Sequence, residues 1–205
     1  MGLLNINDFK QKISKPSVSS KYEVEIGLPT FLQGKLKNLG YDLREFKEQI
    51  KFLVNYSNVP SMNVSTLKVY HRGNPFVIRG ALGFSDTWTI RFYNTSDMFL
   101  RNVFMEWMYA IDQYDNLVTK TQFLANYVGF AGIGAGYMND AKLYIKNGDG
   151  SEGTTYKISY VYPIDISEIE LNSQDQNTIS TTEVKFAYTM FKKWDGIVGD
   201  ILSSL

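Results

Sequence analysis

Alternation of apolar and polar positions recurs along most of the chain. In residues 21–26, Tyr22, Val24 and Ile26 alternate with Lys21, Glu23 and Glu25, the period of two expected of a strand with one face on a core. Trp88, Ile90 and Phe92 alternate with Thr87, Thr89 and Arg91. Tyr156, Ile158, Tyr160 and Tyr162 interleave with Lys157 and Ser159, and Val184, Phe186, Tyr188 and Met190 with Glu183, Lys185, Ala187 and Thr189. These runs predict core strands and place Trp88, Ile90, Phe92, Tyr160, Val184, Phe186 and Tyr188 in the core. Residues 141–146 predict a further short strand. The Asn147, Gly148, Asp149, Gly150 cluster joins it to the run at 155–162 as a hairpin.

One segment switches to a period of 3.6. After the N-cap candidates Asn94, Thr95 and Ser96, Leu100, Val103, Phe104, Trp107, Met108 and Ile111 fall on one stripe, which predicts an amphipathic helix and adds Phe104 and Trp107 to the core. Asp97, Arg101, Asn102 and Glu106 lie on the other side, so the helix is expected to lie flat against a sheet.

Other segments depart from either period. Residues 27–49, punctuated by Gly34 and Gly40, read as an excursion from the β structure, with Asp42 and Glu45 as a capping box opening a short helix that carries Leu43 and Phe46. Phe52, Val54 and Tyr56 restore a period of two until Pro60. Two short strand-like runs at 67–71 and 76–79 flank Arg72, Gly73, Asn74 and Pro75, which predicts a protruding hairpin whose turn residues are candidate subunit contacts. Ile6, Phe9 and Ile13 suggest a short helix ended by Pro16. Residues 112–140, with the small-residue run at 129–136, read as an insertion loop. At Pro163 the apolar parity passes from Ile164 and Ile166 to Ile169 and Leu171, as at a bulge where a strand changes sheets. Beyond Trp194, Ile197, Val198, Ile201, Leu202 and Leu205 form a helical stripe too short to be stable alone. Ile197, Ile201 and Leu205 are therefore read as docking on a neighbouring subunit.

Composition narrows the chemistry. At 205 residues and 44% apolar content the chain is expected to form one domain over 1–205, elaborated at 27–49, 112–140 and 194–205. It has 14 Tyr, 13 Phe and 3 Trp, which suits a β-rich protein with large contact surfaces. Basic and acidic residues balance at 21 each, so no global field favours nucleic-acid binding. No cysteine is present and His71 is the single histidine, which disfavours thiolate metal sites, cysteine nucleophiles and most imidazole chemistry. No apolar run suits a membrane anchor, and residues 1–15 lack a signal-peptide pattern, so a cytoplasmic site of synthesis and assembly is expected. The 129–136 run lacks a Gly-Lys-Ser/Thr ending and reads as a loop rather than a phosphate cradle. Asp165, Glu168 and Glu170 do not read as a glycosidase pair, since Glu168 and Glu170 would share one face of a strand as a solvated or channel-facing row, and Trp88 and Trp107 read as core rather than a sugar platform. No catalytic residue, metal or cofactor is expected, although a carbohydrate-binding or glycan-cleaving β domain remains the competing class.

The order of these pieces resembles the tail tube proteins of contractile-tailed phages. The resemblance is carried by Val59-Pro60-Ser61, by Gly83-Phe84-Ser85-Asp86-Thr87-Trp88-Thr89-Ile90, by the helix containing Trp107, by Tyr162-Pro163-Ile164 and Ile169-Glu170-Leu171, and by Asn177-Thr178-Ile179 leading into Val184-Lys185-Phe186-Ala187-Tyr188. It spans roughly residues 20–190, and the spacing of all the pieces carries it rather than any one. It implies a mainly β (α+β) protein, a small antiparallel β-barrel or sandwich with one flanking amphipathic helix. It also implies a structural virion protein whose hexameric rings stack into a tube, gripped by sheath and baseplate proteins, with DNA passing through the lumen unbound. A tube-initiating ring of the baseplate would share that fold.

Overall fold

The computed structural model describes residues 17–85, 87–117, 136–169 and 179–194. In chain order the elements are β1 (Ser17–Ile26), α1 (Thr30–Asn38), α2 (Leu43–Leu53), β2 (Val54–Ser57), β3 (Met62–His71), β4 (Asn74–Phe84), β5 (Trp88–Tyr93), α3 (Phe99–Leu117), β6 (Asn139–Asn147), β7 (Glu152–Ile166), β8 (Thr181–Ala187) and β9 (Met190–Lys193). Seven strands form one antiparallel sheet in the order β1-β6-β7-β8-β5-β2, with β9 pairing β7 off that path, and β3 and β4 form a sheet of their own. The path ends at β1 and β2. The expected barrel is therefore not closed, and the described residues hold three helices where the resemblance implied one flanking helix.

The alternating runs bury their apolar sides. Trp88, Ile90, Phe92, Val184 and Phe186 are fully buried, as are Phe104 and Trp107 on α3. Phe104 sits at the centre, its ring 5.9 Å from Phe46, 5.8 Å from Phe92 and 5.6 Å from Phe186, so it joins α2, β5 and β8. The indole N–H groups that this burial would otherwise strand find acceptors: Trp88 donates to Ser57 Oγ at 3.1 Å and Trp107 to the Tyr137 carbonyl at 2.8 Å.

Residues 27–49 are two helices rather than an excursion, and they line the same core with Leu32, Leu36, Phe46 and Ile50. Gly40 is a helix stop. At φ 85° it lets Gly40 N–H reach the Lys37 carbonyl and Tyr41 N–H the Leu36 carbonyl, the paired bonds of a Schellman end. Asp42 then caps α2 by accepting from Arg44 N–H at 2.8 Å, with Glu45 in the first turn. Phe52, read as a strand residue, belongs to α2.

The run at 155–162 holds its alternation only as far as Ile158. Ala141 pairs with Ile158 and Asn139 with Val161, leaving two residues of β7 opposite one of β6, and Tyr160 has φ 60°. This bulge turns Val161 inward, fully buried like Ile158, and moves Tyr160 off the core face. β7 then passes from β6 to β8 at Tyr162 and runs on through Pro163, with a second register shift before Asp165. The change of partner thus precedes Pro163 instead of following it. The final run at 184–190 also breaks: β8 ends at Ala187 and β9 swings back onto residues 156–159 of β7. Tyr188, between them, is half-buried against the core. Glu168 lies in an exposed connection, not a strand. The expected N-terminal helix, most of the 112–140 loop, Glu170, and Ile197, Ile201 and Leu205 lie outside the described residues.

Candidate assembly surface

The β3–β4 hairpin carries apolar side chains that stay exposed among the described residues. Its turn is tighter than four residues: His71 pairs with Asn74, and Arg72 and Gly73, at φ 48° and 82°, fill a two-residue turn. Two successive positive φ values match the twist of the flanking strands, and Gly73 supplies the second without a Cβ. The strands are longer than the sequence runs suggested, 10 and 11 residues, and both faces of the ribbon are solvent-exposed along nearly the whole length.

Register shows how the apolar positions divide. Leu67 pairs with Ile78 and Val69 with Phe76, so four apolar side chains form one distal face. Lys68 with Val77, Tyr70 with Pro75 and Thr66 with Arg79 form the opposite distal face. Nearer the base the sides exchange. Val64 pairs with Leu82 but Thr66 with Arg79, so β4 has two residues against the single Ser65. A Cβ on Gly80 would lie 2.8 Å from the Ser65 carbonyl oxygen, which is why the bulge takes a glycine. Below it Met62, Val64 and Leu82 share the face of Lys68.

The base of the hairpin is anchored to the main sheet. Ser85 N–H donates to the Ser61 carbonyl at 2.9 Å, Ser85 Oγ and Tyr188 OH are 2.8 Å apart, and Phe84 meets Phe191 edge-on at 5.7 Å. The break after Ala187 that overturned the long final strand is what puts Tyr188 and Phe191 beneath the hairpin.

Among the described residues the remaining candidates form no reactive constellation. His71 is the exposed last residue of β3. Asp165 pairs with Lys185 at 2.9 Å, on the strand face beside the exposed connection that holds Glu168. Trp88 and Trp107 are fully buried and offer no ring to a sugar. In a cleft lined by Glu23, Glu25, Lys47, Lys51 and Tyr144 both carboxylates are engaged. Glu23 binds Lys146 and, at 3.2 Å, Lys51. The hydrogen bond from Lys146, more than the opposing burial, holds the Glu23 carboxyl below its usual 4.5. Tyr144 OH donates to Glu25 at 2.9 Å, and burial together with that bond raises its pKa to about 12. Among the described residues no group of three or more His, Asp or Glu is placed to hold a metal ion, and no helix is long and apolar enough to cross a membrane.

The sequence pattern of phage tail tube proteins matches residues 17–193. The chain belongs to the phage tail tube protein family. As such it is a structural component of a tail. A chain in the cryo-EM structure of the anti-feeding prophage cap (AFP tube terminating cap) shares the fold of this tail tube protein, with a TM-score of 0.54 and 11% identity over 96% of this chain and 95% of its own. A chain in the sheath-tube complex of the PVC extracellular contractile injection system in its extended state gives 0.51 and 12% over 94% and 99%. One in the sheath/tube terminator of the same system gives 0.50 and 14% over 87% and 96%. No curated protein sequence matches the chain.

Sequence reasoning located the hairpin by its turn residues but missed its extent and its apolar faces. The missed signal was local: Met62, Val64, Leu67, Val69 and Tyr70 continue an apolar pattern that slips by one residue. A slip of that kind reads as noise until the bulge explains it.

Proposed function

We propose that this protein is a subunit of the tube of a contractile tail, assembling into stacked rings, hexameric as in the resemblance, around a channel through which DNA passes without specific binding. The observation that carries this reading is the β3–β4 hairpin. A ribbon of two strands is at best marginally stable in water, and one with Leu67, Val69, Phe76 and Ile78 on a single exposed face is an aggregation hazard unless a partner covers it. A ring that stacks on further copies covers each hairpin while leaving the next one available. The balanced charge of 21 against 21 suits a lumen that must release DNA. The protein acts by assembly rather than catalysis. It meets sheath and baseplate proteins on the outside of the tube, and is made in the host cytoplasm. The turn at Arg72, Gly73, Asn74 and Pro75 and the stripe of Ile197, Ile201 and Leu205 remain its subunit contacts in this reading.

A single ring at one end of the tube is the second reading, supported by the shared fold of the AFP cap chain. Electron microscopy of the purified protein is expected to show rings that elongate into tubes as concentration rises. A species that stays monomeric across salt and concentration overturns both readings. Subunit copy number per tail separates them, because a tube protein fills many rings and an end ring one.

A further inference from the structure

The hairpin meets the main sheet through two side chains that belong with one short element. Tyr188 OH lies 2.8 Å from Ser85 Oγ, and the Phe191 ring meets Phe84 edge-on at 5.7 Å. Phe191 is the second residue of β9, and Tyr188 stands just before that strand. β9 is four residues long and, among the described strands, pairs with β7 alone. A strand that short with a single neighbour lies at the low-stability end of a fold unless something else holds it.

Trp194, the residue after β9, supplies that hold. Its N–H donates to the Thr155 carbonyl at 2.8 Å, which extends the ladder between β9 and β7 by one bond. Its ring lies against two lysines, with Lys142 Nζ 4.9 Å and Lys157 Nζ 5.4 Å from the ring centre. These lysines alternate with the buried Ala141, Leu143 and Ile158, so they stand on the side of the sheet away from the core. They also pair directly across β6 and β7, an arrangement of like charges that weakens a sheet. The negative face of the indole offsets that repulsion and draws both ammonium groups to it. Lys157 pairs in addition with Asp140 Oδ2 at 3.0 Å, while Asp140 Oδ1 accepts the N–H of Tyr160, in the bulge, at 3.3 Å. At the bulge Thr189 N–H donates to the Ser159 carbonyl at 3.1 Å. Both ends of β9 are thus fastened, the first to the bulge of β7 and the last to the lysine pair.

We propose that Trp194, seated on Lys142 and Lys157, is a positioning residue for assembly. By pinning β9 onto β7 it keeps Tyr188 and Phe191 under the β3–β4 hairpin, and so fixes the direction in which the hairpin leaves the sheet. A hairpin held in one direction meets its partner without first being ordered, whereas one that swings is competent for only part of the time.

The inference rests on the tube reading, and two separate measurements keep them apart. The chain has no cysteine, so a nitroxide on Asn74→Cys, beside the hairpin turn, reports hairpin motion in the unassembled protein by its spectrum. Assembly is measured on unlabelled chains by sedimentation and electron microscopy. Trp194→Ala is expected to make the label more mobile and to raise the concentration needed for tubes roughly threefold or more, in inverse proportion to the fraction of hairpins held in place. Melting should hardly move, because Trp194 stands outside the buried cluster. Trp194→Phe keeps an aromatic face for the lysines and should stay within about twofold of the natural chain in assembly. Lys142→Gln leaves Trp194 in place and should shift both readouts in the direction of Trp194→Ala, by less. An unchanged label spectrum in Trp194→Ala, a mobile hairpin that still assembles at the natural concentration, or a Trp194→Phe no better than Trp194→Ala overturns the positioning role. Failure of the natural chain itself to form tubes overturns the tube reading instead, and the label spectrum then still decides whether Trp194 holds the hairpin.

Discussion

Replacing Leu67 and Phe76 together by Thr tests whether the exposed hairpin is the surface that drives assembly. Thr keeps the β propensity of both positions, so the ribbon is retained while its apolar face is lost. Complete burial of a Leu or Phe side chain is worth about 1.5–3 kcal/mol relative to full exposure. In the free chain Leu67 is 57% and Phe76 53% exposed, so about half of that value, roughly 0.8–1.5 kcal/mol for each, is still to be gained on docking. The pair therefore contributes about 1.5–3 kcal/mol to every contact, and with about 1.4 kcal/mol per factor of ten the assembly concentration should rise roughly ten- to hundredfold. Light scattering against concentration, with electron microscopy of the same samples, measures that shift. Melting of the monomer should hardly move, because the distal hairpin contributes nothing to the core around Phe104. Tubes at the concentration of the natural chain would show that the hairpin is not the driving surface.

Phe104→Ala should destabilise the monomer by about 3–5 kcal/mol, since it empties a fully buried site where four aromatic neighbours cannot all collapse inward. Denaturant unfolding checks this, and a loss below about 1 kcal/mol would contradict the central place of that ring. Asp42→Ala removes the acceptor for Arg44 N–H and should cost about 1 kcal/mol, whereas Asp42→Asn should retain most of it. Glu23, whose carboxyl is depressed in the folded chain by the Lys146 hydrogen bond, contributes stability that is present above its unfolded value near 4.5 and lost as pH falls through the lower folded value. The stability difference between the natural chain and Glu23→Gln should therefore be constant near neutral pH and shrink below 4.5. A difference that persisted unchanged at pH 2 would count against the pairing.

Much of the framework was legible because it repeats. β1, β5 and the first part of β8 follow a period of two, and α3 one of 3.6, so each shows its core side without knowledge of its neighbours. The Asp42 cap was legible for the same reason: it is satisfied within three residues. Helix α1 was not, because Gly34 and Gly40 both look like breaks in the sequence. Gly40 does end a helix by its positive φ, whereas Gly34 lies inside α1 at an exposed position where a missing side chain costs little packing.

What the sequence determined by itself was the local alternation, the caps and turns, and the chemistry absent from a chain with one histidine and no cysteine. The tertiary structure decided everything that depends on counting residues across two strands. The bulge at Ser159 and Tyr160 reverses which side of β7 is inward, and the one at Gly80 moves the apolar side of the hairpin from one face to the other. One inserted residue inverts a period-two pattern from that point on, and only the partner strand records where the insertion lies. Exposure was likewise invisible beforehand. Leu67 and Ile78 have the same character as Ile90 and Val184 in sequence, and what separates an exposed face from a core is whether other elements fold over it.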